Sequence, residues 1–148
     1  MISIGADHRG YKLKEEVKRY LEEQNIEYKD YGTMSEERMD FPNIASVVSK
    51  SIQSKQAELG ILICGTGFGM AIVANKYKGI RCAPCGSYEI AKFAKAHSNI
   101  NVLALPADFI NPIEAISIIR TWLGTEFLGG RYQERIQMIE EVEDENMK

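Results

Sequence analysis

Hydrophobic positions along this chain switch repeatedly between short β-branched runs and stripes at helical spacing, the pattern left by strands joined through crossover helices. Residues 2–6 read as a first strand. Over 12–24, Leu13, Val17 and Leu21 recur at helical spacing, with charged residues on the other face. Residues 26–31 return as a strand. A polar loop over 32–41 follows, and Pro42 stands where the first turn of a helix tolerates it, ahead of a stripe of Ile44, Val47, Val48 and Ile52. Residues 59–64 form a continuous apolar run, as expected for a central parallel strand buried on both faces.

A glycine-rich stretch at 65–69 leads into a predicted helix over 70–76, a strand at 80–85, a helix over 88–96 and a fifth strand at 101–105. The helix predicted over 112–123 turns Ala115, Ile118, Ile119 and Trp122 inward. Gly129-Gly130 breaks the chain, and residues 131–147 read as one further helix, apolar at Ile136, Ile139 and Val142. The expected fold class is α/β, an open parallel sheet of five strands in a single domain over 1–148, with an extra C-terminal helix.

Composition narrows the partners. A chain of 148 residues, 45% hydrophobic, is long enough to bury one sizeable core and too short for two ordinary domains. The net charge is −3 with both signs interleaved, so neither nucleic acid nor an anionic membrane is an expected partner, and a small molecule is. No apolar run approaches the roughly 20 residues of a membrane helix, and the start Met1-Ile2-Ser3-Ile4-Gly5 lacks the features of a signal peptide. A cytoplasmic location is expected. Cys64, Cys82 and Cys85 cannot all pair, so they read as free thiols in a reducing compartment. Cys82 and Cys85, a C-x-x-C string inside a strand-like run, read as buried structural thiols. His8 and His97 stand alone, and no metal or other cofactor is expected.

Ligands of open α/β sheets bind beyond the carboxyl ends of the strands, so candidate chemistry belongs there. Asp7 and His8 follow the first strand, Asp40 lies in the loop after the second, Cys64 ends the third, and His97 closes the helix before the fifth. The Gly65-Thr66-Gly67-Phe68-Gly69 loop can present successive N–H groups to an anion, or can simply be a tight turn; it is neither a dinucleotide fingerprint nor a Walker loop. Cys64 reads either as an inert buried thiol or as a thiolate stabilised by those N–H groups. Arg131 and Arg135, four apart on one helix face, read as a phosphate clamp or as a solvated basic patch.

With these residues in place the chain resembles the ribose-5-phosphate isomerase B family, which includes galactose-6-phosphate isomerase subunits. The resemblance rests on Gly5-Ala6-Asp7-His8-Arg9-Gly10, Asp40-Phe41-Pro42, the run from Ile61 through Cys64-Gly65-Thr66-Gly67 to Met70, Ala74-Asn75-Lys76, Gly79-Ile80-Arg81, His97 with Asn101-Val102-Leu103, and Glu126 through Arg131. The intact Cys64-Gly65-Thr66-Gly67 favours the ribose-phosphate branch. The resemblance implies a three-layer α/β/α Rossmann-like sandwich, working as a homodimer or dimer of dimers with active sites shared across the subunit interface, where the C-terminal helix lies. It implies a metal-free aldose-ketose isomerisation of D-ribose 5-phosphate and D-ribulose 5-phosphate, a pentose phosphate pathway step, through a cis-enediolate. Cys64 is then the base, and Thr66 with the N–H groups of Gly65 through Gly69, Gly67 and Phe68 among them, stabilises the enediolate. Asp7 and His97 open the sugar ring, His97 reaching in from the neighbouring subunit, and His8, Arg131 and Arg135 hold the phosphate. Phe41 and Ser98 line the substrate site.

Four positions depart from the family's usual residues: Phe41 replaces Tyr, Ser98 replaces Asn, Tyr132 replaces His and Asp108 replaces Arg. An acidic side chain at 108 would repel a phosphate unless its loop turns away. The competing readings are isomerisation of another sugar phosphate, a tetrose 4-phosphate or a hexose 6-phosphate such as allose 6-phosphate, and a non-catalytic sugar-phosphate-binding module.

Overall fold

The computed structural model describes residues 1–147. Five parallel strands, β1 (Ile2–Ala6), β2 (Tyr28–Asp30), β3 (Leu59–Cys64), β4 (Cys82–Pro84) and β5 (Val102–Pro106), form one sheet in the order β2-β1-β3-β5-β4. The helices are α1 (Tyr11–Glu23), α2 (Phe41–Gln53), α3 (Phe68–Ala74), α4 (Tyr88–Ser98), α5 (Pro112–Gly124) and α6 (Arg131–Asn146). None of them is long and apolar enough to cross a membrane.

The pleat of the central strands divides their side chains between two cores. Ile4, Ala6, Ile61, Ile63, Leu103 and Leu105 pack in one cluster with Leu13, Val17 and Leu21 of α1 and Ala115, Ile118, Ile119 and Trp122 of α5. Leu62, Cys64, Val102 and Ala104 pack in the other with Ile44 and Val48 of α2 and Met70, Ala71 and Ala74 of α3. The helices therefore cover both faces, the condition under which an all-parallel sheet is stable. Because α1 leaves β1 on one face and α3 leaves β3 on the other, the strand order reverses between β1 and β3. A crevice opens at such a switch point.

The helical stripes and the three central strands lie where the sequence pattern predicts, and the differences fall at the edges. The second strand is Tyr28–Asp30 and the fourth is Cys82–Pro84, both shorter than predicted and both pairing on one side only. Ile26 and Ile80 flank them as partly and fully buried plugs outside the ladder, so their apolarity records burial and not pairing. The third helix starts at Phe68, two residues early, because Gly67 at φ +80° turns the chain directly into it. Val47 of the predicted inward stripe is 43% exposed. In α6 only Ile136 of the three apolar positions is buried. That helix docks on its own chain through the buried Glu143, whose carboxylate accepts the Gly79 N–H, and through a Lys78–Asp144 ion pair.

On α1 one charged residue does not cover the outer face. Lys14 is fully buried and donates to both carboxylate oxygens of Asp30, at 2.8 and 2.7 Å, and to the Thr33 carbonyl. Lys18 adds a 2.9 Å contact to Asp30, and the Gly32 N–H another at 2.8 Å. This cluster pins the start of the loop from Gly32 to Asp40 against β1, where Ala6 N–H donates to Gly32 O and Thr33 N–H to Ala6 O. Removal from water works against the Asp30 charge, but the hydrogen bonds from Lys14, Lys18 and Gly32 outweigh it and hold the carboxyl below its ordinary value of 3.8. A carboxyl depressed in the folded state contributes stability above its unfolded pKa, and that contribution is lost as pH falls through the folded value. The unfolding free energy should therefore decline as pH drops below 3.8, and more steeply in the parent than in Asp30→Asn, measured by urea denaturation across a pH series. At neutral pH Asp30→Asn should cost about 3–5 kcal/mol, because the Lys14 ammonium is left buried without its counter-charge.

Candidate active site

Cys64 ends β3, is 4% exposed, and points into the α2–α3 core. Its Sγ accepts the Gly67 N–H at 3.2 Å, a contact made possible by the left-handed Gly67. Thr66 Oγ1 accepts the Phe68 N–H at 3.2 Å. The first N–H groups of α3 have no acceptor within the helix by its geometry, and that of Phe68 is the one taken by Thr66 Oγ1. The other two cysteines behave differently. Burial pushes the Cys85 thiol up to about 11 and raises that of Cys82 as well, so both stay protonated structural side chains.

The turn after β1 meets this loop from the side. Asp7 is 5% exposed, and its Oδ1 accepts the N–H groups of Arg9 at 3.0 Å and Gly10 at 3.1 Å. Its own N–H donates to Ile63 O at 3.1 Å. His8 Nδ1 lies 3.2 Å from the Met39 N and 3.3 Å from the Met39 O, so either the amide donates to the neutral ring or the protonated nitrogen donates to the carbonyl. The same loop ends at Phe41, whose ring lies on Gly69; a Cβ there would meet ring atoms at 2.7 Å. Asp40 is exposed at the N-cap of α2. Asp7, His8, Phe41, Cys64 and the residues from Gly65 to Gly69 thus lie around the carboxyl ends of β1 and β3.

The anion-repelling potential of Asp108 is met at the same place. Its carboxylate does not turn away: it lies against Gly65, where a Cβ would come within 2.7 Å of Oδ2, and it pairs with Arg9 at 3.0 Å. Arg9, part of a motif but given no role by the sequence reading, thereby neutralises it. Nothing in spacing or periodicity connects positions 9 and 108.

His97, Ser98, Arg131 and Arg135 form a second group. His97 is in the last turn of α4, which runs back to the start of β5, whereas Cys64 pairs with Pro106 at that strand's end. The length of strand between these levels is roughly 13 Å, so the two groups do not meet within one chain. In the second group the Tyr132 ring stacks on His97, with centroids 4.4 Å apart and planes 1° apart, and Phe93 lies 5.3 Å away on another side. The guanidinium carbons of Arg131 and Arg135 lie 5.2 and 5.6 Å from the Tyr132 ring centroid. Ser98 is exposed beside them. Among the described residues no three His, Cys, Asp or Glu side chains are grouped as metal ligands. A hollow of about 260 Å³ lined by Thr66, Phe68, Pro84, Gly86, Pro106 and Phe109 adjoins the cysteine turn, while a larger groove of about 530 Å³ lies between α1 and the start of α5, behind Arg9.

Comparison with known proteins agrees with this fold. A family model described as Ribose/Galactose Isomerase matches residues 2–139. Ribose-5-phosphate isomerase B of Escherichia coli is 40% identical over 142 residues, covering 96% of this chain and 95% of that protein. The solved structure of Clostridium thermocellum ribose-5-phosphate isomerase B superposes with a TM-score of 0.95 at 40% identity, covering 97% of each chain. That of Mycoplasma genitalium ribose-5-phosphate isomerase B with bound ribulose-5-phosphate superposes with a TM-score of 0.94 at 37% identity, covering 98% of this chain and 97% of that one.

The closeness of the β1 turn to β3 is tested by Gly10. A Cβ at this position would sit 2.5 Å from the Ile63 carbonyl oxygen and 2.8 Å from its carbon, backbone atoms of the residue before Cys64. Gly10→Ala should destabilise the fold by about 2–3 kcal/mol in urea melts, as expected of forced overpacking. It should also lower turnover in the molecules that remain folded, because relief of the clash displaces either the Asp7 turn or the Cys64 strand.

Proposed function

The chain belongs to the Ribose/Galactose Isomerase family, and from that membership and the setting of Cys64 we propose that it interconverts D-ribose 5-phosphate and D-ribulose 5-phosphate with Cys64 as the base. The observation that carries this reading is a sulfur at a strand end, hydrogen-bonded to the N–H of Gly67, the residue that turns the chain into α3. An aldose carrying a C2 proton needs two things to become a ketose: a positioned base, and donors where negative charge develops. Cys64 removes the C2 proton, the C–H electron pair forms the C1–C2 double bond, and the carbonyl pair moves onto O1. The proton then returns to C1 while the O2 hydroxyl proton passes to O1. Thr66 and the N–H groups of the Gly65–Gly69 loop hold the enediolate oxygens. Loss of one such donor costs about 3 kcal/mol in comparable oxyanion sites, so the loop matters as much as the sulfur.

Ribose 5-phosphate enters mainly as a ring. Opening it breaks the C1–O4 bond, with a proton leaving O1 and another delivered to O4. We assign this step to His97 with Asp7, and the phosphate to His8, Arg131 and Arg135. Because one chain keeps these residues in two separate groups, the reading requires a second copy that brings His97 and the arginines to the Cys64 crevice, as a homodimer or dimer of dimers. Exposed apolar side chains on helices near both groups, Phe68 at 62%, Ile72 at 61% and Phe93 at 57%, give such a partner something to cover. Within the chain Arg9 pairs with Asp108, which offsets the charge that would otherwise oppose a phosphorylated substrate. We infer a cytoplasmic location from the free thiols and this activity.

Cys64→Ala should abolish exchange of the C2 proton of the substrate with solvent while sugar-phosphate binding stays largely intact, read by proton NMR in D2O and by calorimetry. Persistent exchange in this variant would take the role of base from Cys64. Mixing inactive Cys64→Ala and His97→Ala chains under conditions that let subunits exchange should restore about a quarter of the parent activity, since half the dimers are mixed and each holds one intact site. Continued inactivity of the mixture would confine each site to a single chain.

A further inference from the structure

A histidine that moves protons at a sugar ring must present its nitrogens at a fixed angle, and the usual device is a hydrogen bond from one ring nitrogen to a carboxylate or carbonyl. His8 has such a fixture in Met39. Neither nitrogen of His97 has a hydrogen-bond partner among the described residues. Its position in the last turn of α4, half exposed, leaves both side-chain torsions free to wander, and the second of them has only broad minima. What does meet the ring is aromatic. Tyr132 lies flat on one face, 4.4 Å away with planes 1° apart, and Phe93, one helical turn back, lies tilted at 5.3 Å. The stack fixes the plane of the imidazole, and neither ring nitrogen is taken up by a hydrogen bond to the described residues.

Tyr132 is itself held. The Arg131 Nη2 donates to its hydroxyl at 3.3 Å, and the Arg131 and Arg135 guanidiniums lie against the ring at 5.2 and 5.6 Å. The backbone closes the assembly: Leu128 N–H donates to Ala96 O, tying the approach to α6 onto the last turn of α4. Tyr132 thus meets His97 and both arginines. We propose that Tyr132 is a positioning residue for ring opening, setting the plane of His97 by stacking while its ring contacts both guanidiniums. This rests on the assignment of ring opening to His97.

The test separates ring opening from proton transfer at carbon. For each variant two rates are measured: consumption of D-ribose 5-phosphate, which enters as a closed furanose, and exchange of a C1 hydrogen of D-ribulose 5-phosphate in D2O. That ketose has its O5 esterified, forms no furanose ring, and reaches the enediolate without ring opening. In Tyr132→Leu, kcat for ribose 5-phosphate should fall roughly three- to tenfold, the range of an aromatic pair, while C1 exchange on ribulose 5-phosphate stays within about twofold. Tyr132→Phe keeps the stack and should match the parent in both. Circular dichroism melts of each variant confirm that the fold is retained. His97→Ala is the control for the underlying assignment and should show the same split, larger. If His97→Ala shows the split and Tyr132→Leu does not, or if Tyr132→Leu lowers both rates together, the positioning role is overturned. If His97→Ala itself leaves the two rates in their parent ratio, the ring-opening assignment is overturned, and the positioning role with it.

Discussion

Three parallel strands end in backbone hydrogen bonds to one another's loops, and the crevice exists because of that lacing. Asp7 N–H donates to Ile63 O, Ala107 N–H to Cys64 O, and Asp108 N–H to Gly65 O. Each donor lies one or two residues past its own strand, and each acceptor lies at or beside the cysteine. The turns after β1, β3 and β5 are consequently one rigid surface, with Gly10 packed directly on Ile63 where no side chain would fit. A sulfur whose position is set by backbone bonds inside a fully buried sheet moves little, which is the condition for preorganised chemistry.

The loop over α2 extends the same principle outward. Lys14 and Asp30 anchor its beginning in the core, Met39 in its last turn fixes His8, and Phe41 at its end lies on Gly69. A buried ion pair is a poor source of net stability, since desolvation consumes much of the Coulomb gain. Its effect here is geometric: an ammonium with no route to water holds the Thr33 carbonyl, so the loop that walls the crevice has one position at each end.

Much of this was legible in the sequence, because parallel sheets write their centre and their function in distinct patterns. The two-sided burial of β3 shows as an unbroken apolar run, and the rule that ligands sit beyond strand ends selects Asp7 and Cys64 without any knowledge of relatives. Periodicity fails where burial and pairing part company. Ile26 and Ile80 are apolar because they plug the ends of edge strands, and Lys14 reads as a solvent-facing charge although its counter-ion waits on β2. The contacts that decide electrostatics were out of reach for the same reason. Arg9 with Asp108, and His97 with Tyr132, are pairs made by topology between residues far apart in the chain, and local pattern carries no trace of them.

The separation of the two functional groups follows from the same architecture. In a parallel sheet each crossover helix ends at the opposite side from the strand ends that bind ligands, so a side chain in the last turn of α4, or at the start of a helix packed beside it, cannot reach the crevice of its own chain. Cations placed there serve a phosphate only if another copy presents them. Such a division has a chemical advantage. Guanidiniums lodged permanently beside Cys64 would have to be desolvated in the isolated fold, whereas residues that arrive with a partner stay hydrated until the site closes, and Arg131 and Arg135 are exposed in this chain. In the proposed shared site, assembly completes the electrostatics, and the single chain needs only to keep its amides, its sulfur and its stacked imidazole in place beforehand.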